Sequence, residues 1–134
     1  MGGVAEPHPD VVDPHHPLVE RVRAICLRYP DAVEVPAWGR PTFRTPNKIF
    51  VIAGATMDRQ FSIVIKPDPA DEPALRQDPR FFAPPYWGPF GWLAIDTDTD
   101  GTDWQELEEL IDSSYRLVAL KRQVKALDEH PLVR

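Results

Sequence analysis

The sequence predicts an α+β fold: an antiparallel sheet of hairpin-connected strands packed with an N-terminal helix and a long C-terminal helix. Three observations lead to it. Apolar residues recur at helical spacing from Leu18 to Tyr29, alternate with a period of two through residues 33–66, and return to helical spacing from Leu107 to Leu127. At 134 residues the chain is long enough for one core and too short for two of ordinary size. The hydrophobic share of 43% and charged share of 27% are globular values, while 16 prolines are well above the usual fraction of about 5% and belong at turns, edges and helix starts.

Residues 1–16 hold prolines at 7, 9 and 14 and no hydrophobic periodicity, so they read as a flexible or draped Pro-rich tail outside the core. The first helix is expected over about residues 17–29. Pro17 suits its first turn, Leu18, Val22, Ile25 and Tyr29 form its apolar stripe with Val19 and Cys26 beside them, and Pro30 ends it. A single domain then spans residues 17–127, with 128–134 as a C-terminal tail.

Between Val33 and Lys66 the runs VEVPAW, RPTFR, KIFVIA and FSIVIK predict short antiparallel strands, joined by Thr45-Pro46-Asn47-Lys48 and by a longer loop, Gly54 to Arg59. Setting Thr45 opposite Lys48 pairs Phe43 with Phe50 and Pro41 with Ile52. Setting Ala53 opposite Gln60 pairs Ile52 with Phe61 and Phe50 with Ile63. One face then collects Phe43, Phe50, Ile52, Phe61, Ile63 and Ile65. The other carries Arg40, Thr42, Arg44, Ser62 and Lys66 around Ile49, Val51 and Val64. A slip of one residue in either hairpin would mix these sets, because side chains alternate across a sheet. The pattern does not say whether the outward face is open or covered by the final helix.

Residues 67–91 are irregular apart from a short helical piece near Pro73 to Gln77, and the loop FFAPPYWGPFG at 81–91 is too aromatic to be merely solvated. Trp92 to Asp96 predicts another strand. The acidic turn DTDTDGTD starts the last helix, with Asp103 as N-cap and Glu106 three residues on, and Ser113-Ser114 is the expected site of a break in it.

Net charge is −6 and unevenly spread: residues 1–16 carry −3, 17–66 carry +4, 67–115 carry −10 and 116–134 carry +3. Segregation of this kind favours a charged partner on the basic side, or is chance clustering of solvated charges. No run approaches the ~18 apolar residues of a membrane span, and the N-terminus lacks the basic and apolar regions of a signal peptide. The expectation is a cytoplasmic protein with no membrane contact. Cys26 is the only cysteine, which excludes an intramolecular disulfide and argues against a Cys-based metal site.

The chain offers no convincing catalytic set, so neither enzyme activity nor a cofactor is expected. Cys26 follows Ile25 on the apolar side of the first helix and reads as core. His8, His15 and His16 with Asp10 and Asp13 match no familiar metal spacing, and His130 is isolated. Asp96, Asp98, Asp100 and Asp103 suggest a calcium loop with Gly101 at its sixth position, but its twelfth is Leu107, where such a loop needs Glu. Gly88 and Gly91 sit in a proline-rich run that opens a strand, unlike a phosphate loop. The stretch WGRPTFRTPNKIF at 38–50 is different in kind. Its Trp38-Gly39 turn, its Arg40/Thr42/Arg44 row and its Asn47-Lys48 turn set guanidinium and hydroxyl donors beside aromatic groups, a chemistry suited to phosphate, carboxylate or stacked bases. The same residues also describe a rigid hairpin with a solvated outer face.

Together these segments resemble the MmcQ/YjbR family of small bacterial α+β proteins. The resemblance covers about residues 17–125 and is carried by WGRPTFRTPNKIF at 38–50, Ile65-Lys66 ending the following strand, APPYWGPFGWLAID at 83–96 and ELEELIDSSYRLV at 106–118. It implies a double-wing arrangement of strands and helices, with DNA as the partner. It also implies binding residues Arg40, Thr42, Arg44, Lys48 and Lys66 on or near a wing, with Trp38 and Tyr86 as neighbouring aromatics and Tyr115 on the final helix. A pI of about 5.1 stands against values above ~9 common in nucleic-acid-binding domains, so DNA binding would be weak, salt-sensitive and carried by local cations. The alternative is a protein or small anionic ligand held by the same hairpin and the Tyr86-Trp87 loop.

Overall fold

The computed structural model of the chain describes residues 10–132. His8 and the rest of residues 1–9, and residues 133 and 134, lie outside the described residues. The elements in order are α1 (Pro17–Cys26), β1 (Val33–Ala37), β2 (Arg40–Thr45), β3 (Lys48–Ala53), β4 (Ser62–Ile65), α2 (Glu72–Gln77), β5 (Phe81–Phe82), a 3₁₀ turn (Gly88–Phe90), β6 (Leu93–Asp96), α3 (Trp104–Val118) and α4 (Lys121–Glu129). The strands form one six-stranded sheet in the order β1-β2-β3-β4-β6-β5, with every neighbouring pair antiparallel. The fold is α+β, as the periodicity predicts. Among the described residues no helix is long and apolar enough to cross a membrane.

Helix α1 begins where Pro17 is tolerated, with His16 Nδ1 accepting from the Leu18 N–H at 3.2 Å as the N-cap. It ends at Cys26, short of the expected Tyr29. Pro30 disfavours the helical conformation in the residue before it, and the chain turns through Asp31, at φ +59°, into β1. Ahead of the helix, Val11 and Val12 are buried, which corrects the expectation that this segment stays out of the core. The segment bends at Val11 and Val12 and turns at Pro14 and His15, where the His16 N–H donates to the Asp13 carbonyl at 3.2 Å. The Val11 N–H donates to the Gly39 carbonyl at 2.7 Å, and Arg23 Nη2 donates to the Pro14 carbonyl at 3.0 Å.

The expected hairpin registers are corrected at two points. β2 and β3 start as predicted, Thr45 opposite Lys48 and Arg44 opposite Ile49, but the ladder then shifts, and Phe43 faces Val51 while Thr42 faces Ile52. Phe50 is the extra residue of a β-bulge, invisible to a pairing count because nothing in KIFVIA marks it. The β3–β4 pairing also differs: Ala53 faces Ile63, not Gln60, because the connection folds on itself. Thr56 bridges to Arg59, Ser62 Oγ donates to the Arg59 carbonyl at 2.7 Å, and Ser62 Oγ accepts from the Ala55 N–H at 2.9 Å. The consequence is confined to the middle strand. Phe50 and Val51 both join the main core beside Phe43, Ile63 and Ile65, while Ile52, expected inward, turns outward beside Val64.

Helix α3 packs on the main core face through Leu107, Ile111, Tyr115 and Val118, and Asp103 caps it by accepting from the Gln105 and Glu106 N–H groups at 3.0 and 3.3 Å. The expected break at Ser113-Ser114 is absent. The helix runs through both serines because Ser114, fully buried, bonds across to the sheet: its hydroxyl donates to the Phe50 carbonyl at 2.6 Å and accepts from the Lys66 N–H at 3.0 Å. The break lies instead at Ala119 and Leu120, both extended, where Gln123 Oε1 accepts from the Leu120 N–H at 2.8 Å and starts α4.

The outward face is covered, but not by the final helix. Thr42, Ile52, Val64, Ala94 and Phe82 form one row across five strands, and Trp87 and Trp92 of the β5–β6 connection pack on it as a second, smaller apolar layer. Ser114→Ala removes the donor from the buried Phe50 carbonyl at the bulge and should lower stability by about 1–3 kcal/mol in urea unfolding. A loss below about 0.5 kcal/mol, the range of an ordinary surface change, would mean that the carbonyl finds another donor.

Candidate functional site

Three chain connections converge at one end of the outer layer. The β1–β2 turn brings Trp38 and Arg40, the β3–β4 connection brings Ala55, Thr56 and Met57, and the β5–β6 connection brings Pro85, Tyr86 and Trp87; with Val11 they bound a cleft of about 610 Å³. Trp87 is its floor. The Trp38 ring stands 5.8 Å from the Trp87 ring at 61°, and the Tyr86 ring 6.5 Å from it at 75°, so both meet the floor edge-on and act as walls. Trp38 and Arg40 also wall a second cleft of about 450 Å³ on the other side of their turn, where Pro14, Pro36, Pro41 and Glu34 lie.

Both walls are held in unusual backbone conformations. Trp38 has φ +54° and Tyr86 φ +68°, and Asp31 is the only other non-glycine residue with positive φ among those described. Trp38 and Gly39, at φ +77°, are the two central residues of a tight hairpin whose geometry needs positive φ at both positions, a place usually taken by Asn, Asp or Gly. A bulky residue there costs roughly 1–2 kcal/mol. Neither ring recovers this by full burial: Trp38 is 46% and Tyr86 84% exposed. Met57 at 60% and Phe90 at 77% add to the exposed apolar surface on the same connections.

Arg40 is the cation of the cleft. Its Nε donates to the Trp38 carbonyl at 3.2 Å, its Nη1 to the Ala55 carbonyl at 3.1 Å, and its guanidinium carbon lies 5.3 Å from the centre of the Trp87 ring. Nη2 is left over, and partial burial holds the guanidinium below the usual arginine range. Among the described residues no carboxylate lies within ion-pair distance of it, although Asp10 and Glu34 line the second cleft with it. Among the described residues Arg23, Arg28, Arg59, Arg76, Arg80, Arg116, Arg122 and Lys125 all pair with Asp or Glu, whereas Arg40, Arg44, Lys48 and Lys66 do not; Arg21 and Lys121 are the others without a carboxylate.

The expected binding residues therefore separate. Trp38, Arg40 and Tyr86 meet in the cleft through Trp87. Arg44, Lys48 and Lys66 lie at the opposite ends of β2, β3 and β4: Arg44 half-buried with Nε donating to Thr42 Oγ1 at 3.0 Å, Lys48 exposed at the hairpin turn, and Lys66 half-buried just past β4. Thr42 is buried, not outward in solvent, because the second apolar layer covers it and its hydroxyl donates to the Val35 carbonyl. Tyr115 is also buried; it sits in the main core against Tyr29 and Phe50, with its hydroxyl donating to the Pro30 carbonyl at 2.7 Å. Burial, and then the charge of Asp31, push its phenol up to about 12. Val11 and Met57 were not legible as site residues, since neither belongs to a pattern that distinguishes it from ordinary apolar residues of a tail and a loop. Among the described residues no three His, Cys, Asp or Glu side chains gather as a metal ion would require.

The YjbR family model matches residues 27–117, from the end of α1 nearly to the end of α3. The chain belongs to the YjbR family. The match includes every wall of the cleft except Val11 and leaves α4 outside. No curated protein matches the sequence. The fold is similar to the crystal structure of Deinococcus radiodurans protein DR2400, whose domain is DUF419, a YjbR-like one, with a TM-score of 0.65 and 20% identity over 82% of this chain and 87% of that one. The YjbR fold is thus shared at low identity, and the cleft chemistry belongs to this chain's own residues.

Tyr86→Asn should raise stability by about 0.5–1 kcal/mol in urea unfolding, because Asn tolerates positive φ and Tyr86 has little burial to lose. Unchanged or lower stability would mean that the Tyr86 ring makes a stabilising contribution comparable to its strain. At the alkaline end, Tyr115 has a folded pKa above its unfolded value, so its contribution to stability is complete below pH about 10 and lost as pH rises toward about 12. Spectrophotometric titration should find one tyrosine that ionises only in that window, and Tyr115→Phe should remove it.

Proposed function

We propose that this chain is a non-catalytic binding module for a phosphate-bearing partner, DNA in the first instance, which it contacts through Arg40 at the cleft and through Arg44, Lys48 and Lys66 at the opposite ends of their strands. The observation behind this reading is that, in a chain of net charge −6, these four cations have no carboxylate partner among the described residues, while most of the other described cations do. In an acidic protein, cations left without acidic partners are available for charge-assisted bonds to phosphate oxygens. Net acidity limits long-range attraction but not local contacts, since the salt-dependent term scales with the phosphates actually neutralised.

The non-catalytic part of the reading draws on the groups that enzymes most often use. Cys26 is buried, and burial pushes its thiol well above its usual range. The Ser114 hydroxyl is taken up on both sides by main-chain groups. His16 Nδ1 caps α1, and its ring stacks on Phe61 at 4.1 Å. None of the three lines the aromatic cleft.

Fluorescence anisotropy with labelled DNA is the direct test. With four phosphate contacts, a fourfold rise in salt should weaken binding on the order of a hundredfold. Arg40→Ala combined with Arg44→Ala should weaken binding and flatten the salt dependence by about two contacts. Lys48→Ala, an exposed position whose side chain makes no bond, should do the same by about one. Binding unchanged in both variants would overturn the assignment of these cations.

A further inference from the structure

The cleft holds more than a phosphate contact requires. Three aromatic rings line it, two of them exposed and held at positive φ, where a smaller residue would fit the backbone better. Backbone strain of this kind persists where the surrounding structure imposes it and collects at ligand sites. The walls meet the Trp87 floor at 61° and 75°, so a flat group can lie face-on against a wall while its edge approaches the floor. Arg40 is fixed at the mouth by two main-chain carbonyls, which leaves Nη2 for an outside acceptor. A cleft of about 610 Å³ is in the range of sites for small organic ligands.

We propose that this cleft is a base-stacking site: it takes one unstacked nucleobase against the faces of Trp38 and Tyr86, with the attached phosphate on Arg40 Nη2. The assignment builds on the phosphate-binding reading above and adds that the bound nucleotide is unpaired. A base inside a duplex is stacked on both faces and cannot enter a recess walled by three connections. A base in a single strand, or a free nucleotide, can. Arg44 is four residues beyond Arg40 on the same strand face, about 13 Å at ~3.3 Å per residue; Thr42 between them is buried, so a strand leaving the cleft passes over the second apolar layer to reach Arg44, a second cation without a carboxylate partner among the described residues, and then Lys48 at the turn.

Three probes separate the outcomes: an oligothymidylate strand, a mixed-sequence duplex of equal length, and thymidine 5′-monophosphate, each followed by anisotropy or by quenching of tryptophan fluorescence at fixed low salt. The strand should bind about tenfold or more tightly than the duplex. Trp38→Ala combined with Tyr86→Ala, with folding verified by circular dichroism, should weaken the strand by about tenfold or more and leave the duplex unchanged. Tyr86→Phe should retain strand binding, because stacking needs the ring and not the hydroxyl. Quenching by the monophosphate as strong as by the strand would support the site with a free nucleotide as its source, and much weaker quenching would support it with a strand. Equal binding of strand and duplex, indifferent to the aromatic variant but weakened by Lys48→Ala, would overturn the stacking site and leave the phosphate-binding reading standing. Loss of binding to all three probes would overturn both. Quenching by a proline-rich peptide but not by the monophosphate would overturn the stacking site in favour of a polypeptide occupant.

Discussion

Where the β2–β3 ladder shifts between Phe43 and Arg44, Phe50 is left over, and its carbonyl is met by the Ser114 hydroxyl from the middle of α3. The rest of the molecule is arranged around this contact. The bulge lets two consecutive residues, Phe50 and Val51, both serve the main core, and it sends Ile52 to the other side of the sheet. The same serine accepts from the Lys66 N–H, so one buried hydroxyl fixes α3 against both β3 and the end of β4. With the helix held there, Tyr115 falls against Tyr29 and Phe50 and reaches the Pro30 carbonyl, which ties α3 to the α1–β1 connection.

Ile52 on the outer side has a further effect. With Val64 and Ala94 it forms an apolar row that water would otherwise contact, and the β5–β6 connection covers it with Trp87 and Trp92. Covering the row brings Tyr86 beside the β1–β2 turn, where Trp38 and Arg40 already stand. The cleft is thus a by-product of burying the second layer. Its walls come from three connections far apart in the chain, and its shape depends on a residue, Phe50, that is nowhere near it.

The charge distribution shows a similar division of roles. Acidic side chains of the helices and connections neutralise most arginines by local pairing: Arg116 with Asp112 and Asp128, Arg80 with Asp78 and Glu106, Arg122 with Asp31. At exposed positions such pairs add little to stability. Among the described residues this leaves Arg40, Arg44, Lys48 and Lys66, with Arg21 and Lys121, as the cations without an ion-pair partner in a chain of net charge −6.

By itself the sequence determined the class of the fold, the positions of most elements, the cap at Asp103 and the family, because these depend on local periodicity, on turn residues and on motifs that are contiguous in the chain. It also marked Trp38, Arg40 and Tyr86 through residue chemistry. What only the tertiary structure decided were the bulge, the swap of Val51 and Ile52, the helix that runs through Ser114, the burial of Thr42 and Tyr115, and the meeting of the marked residues in one cleft. The physical reason is common to all of them. An alternating strand of apolar residues satisfies either face equally well, and a serine satisfies a break or a buried bond equally well. The choice is made by partners distant in the chain, which supply a donor to one carbonyl and cover one apolar row and not another.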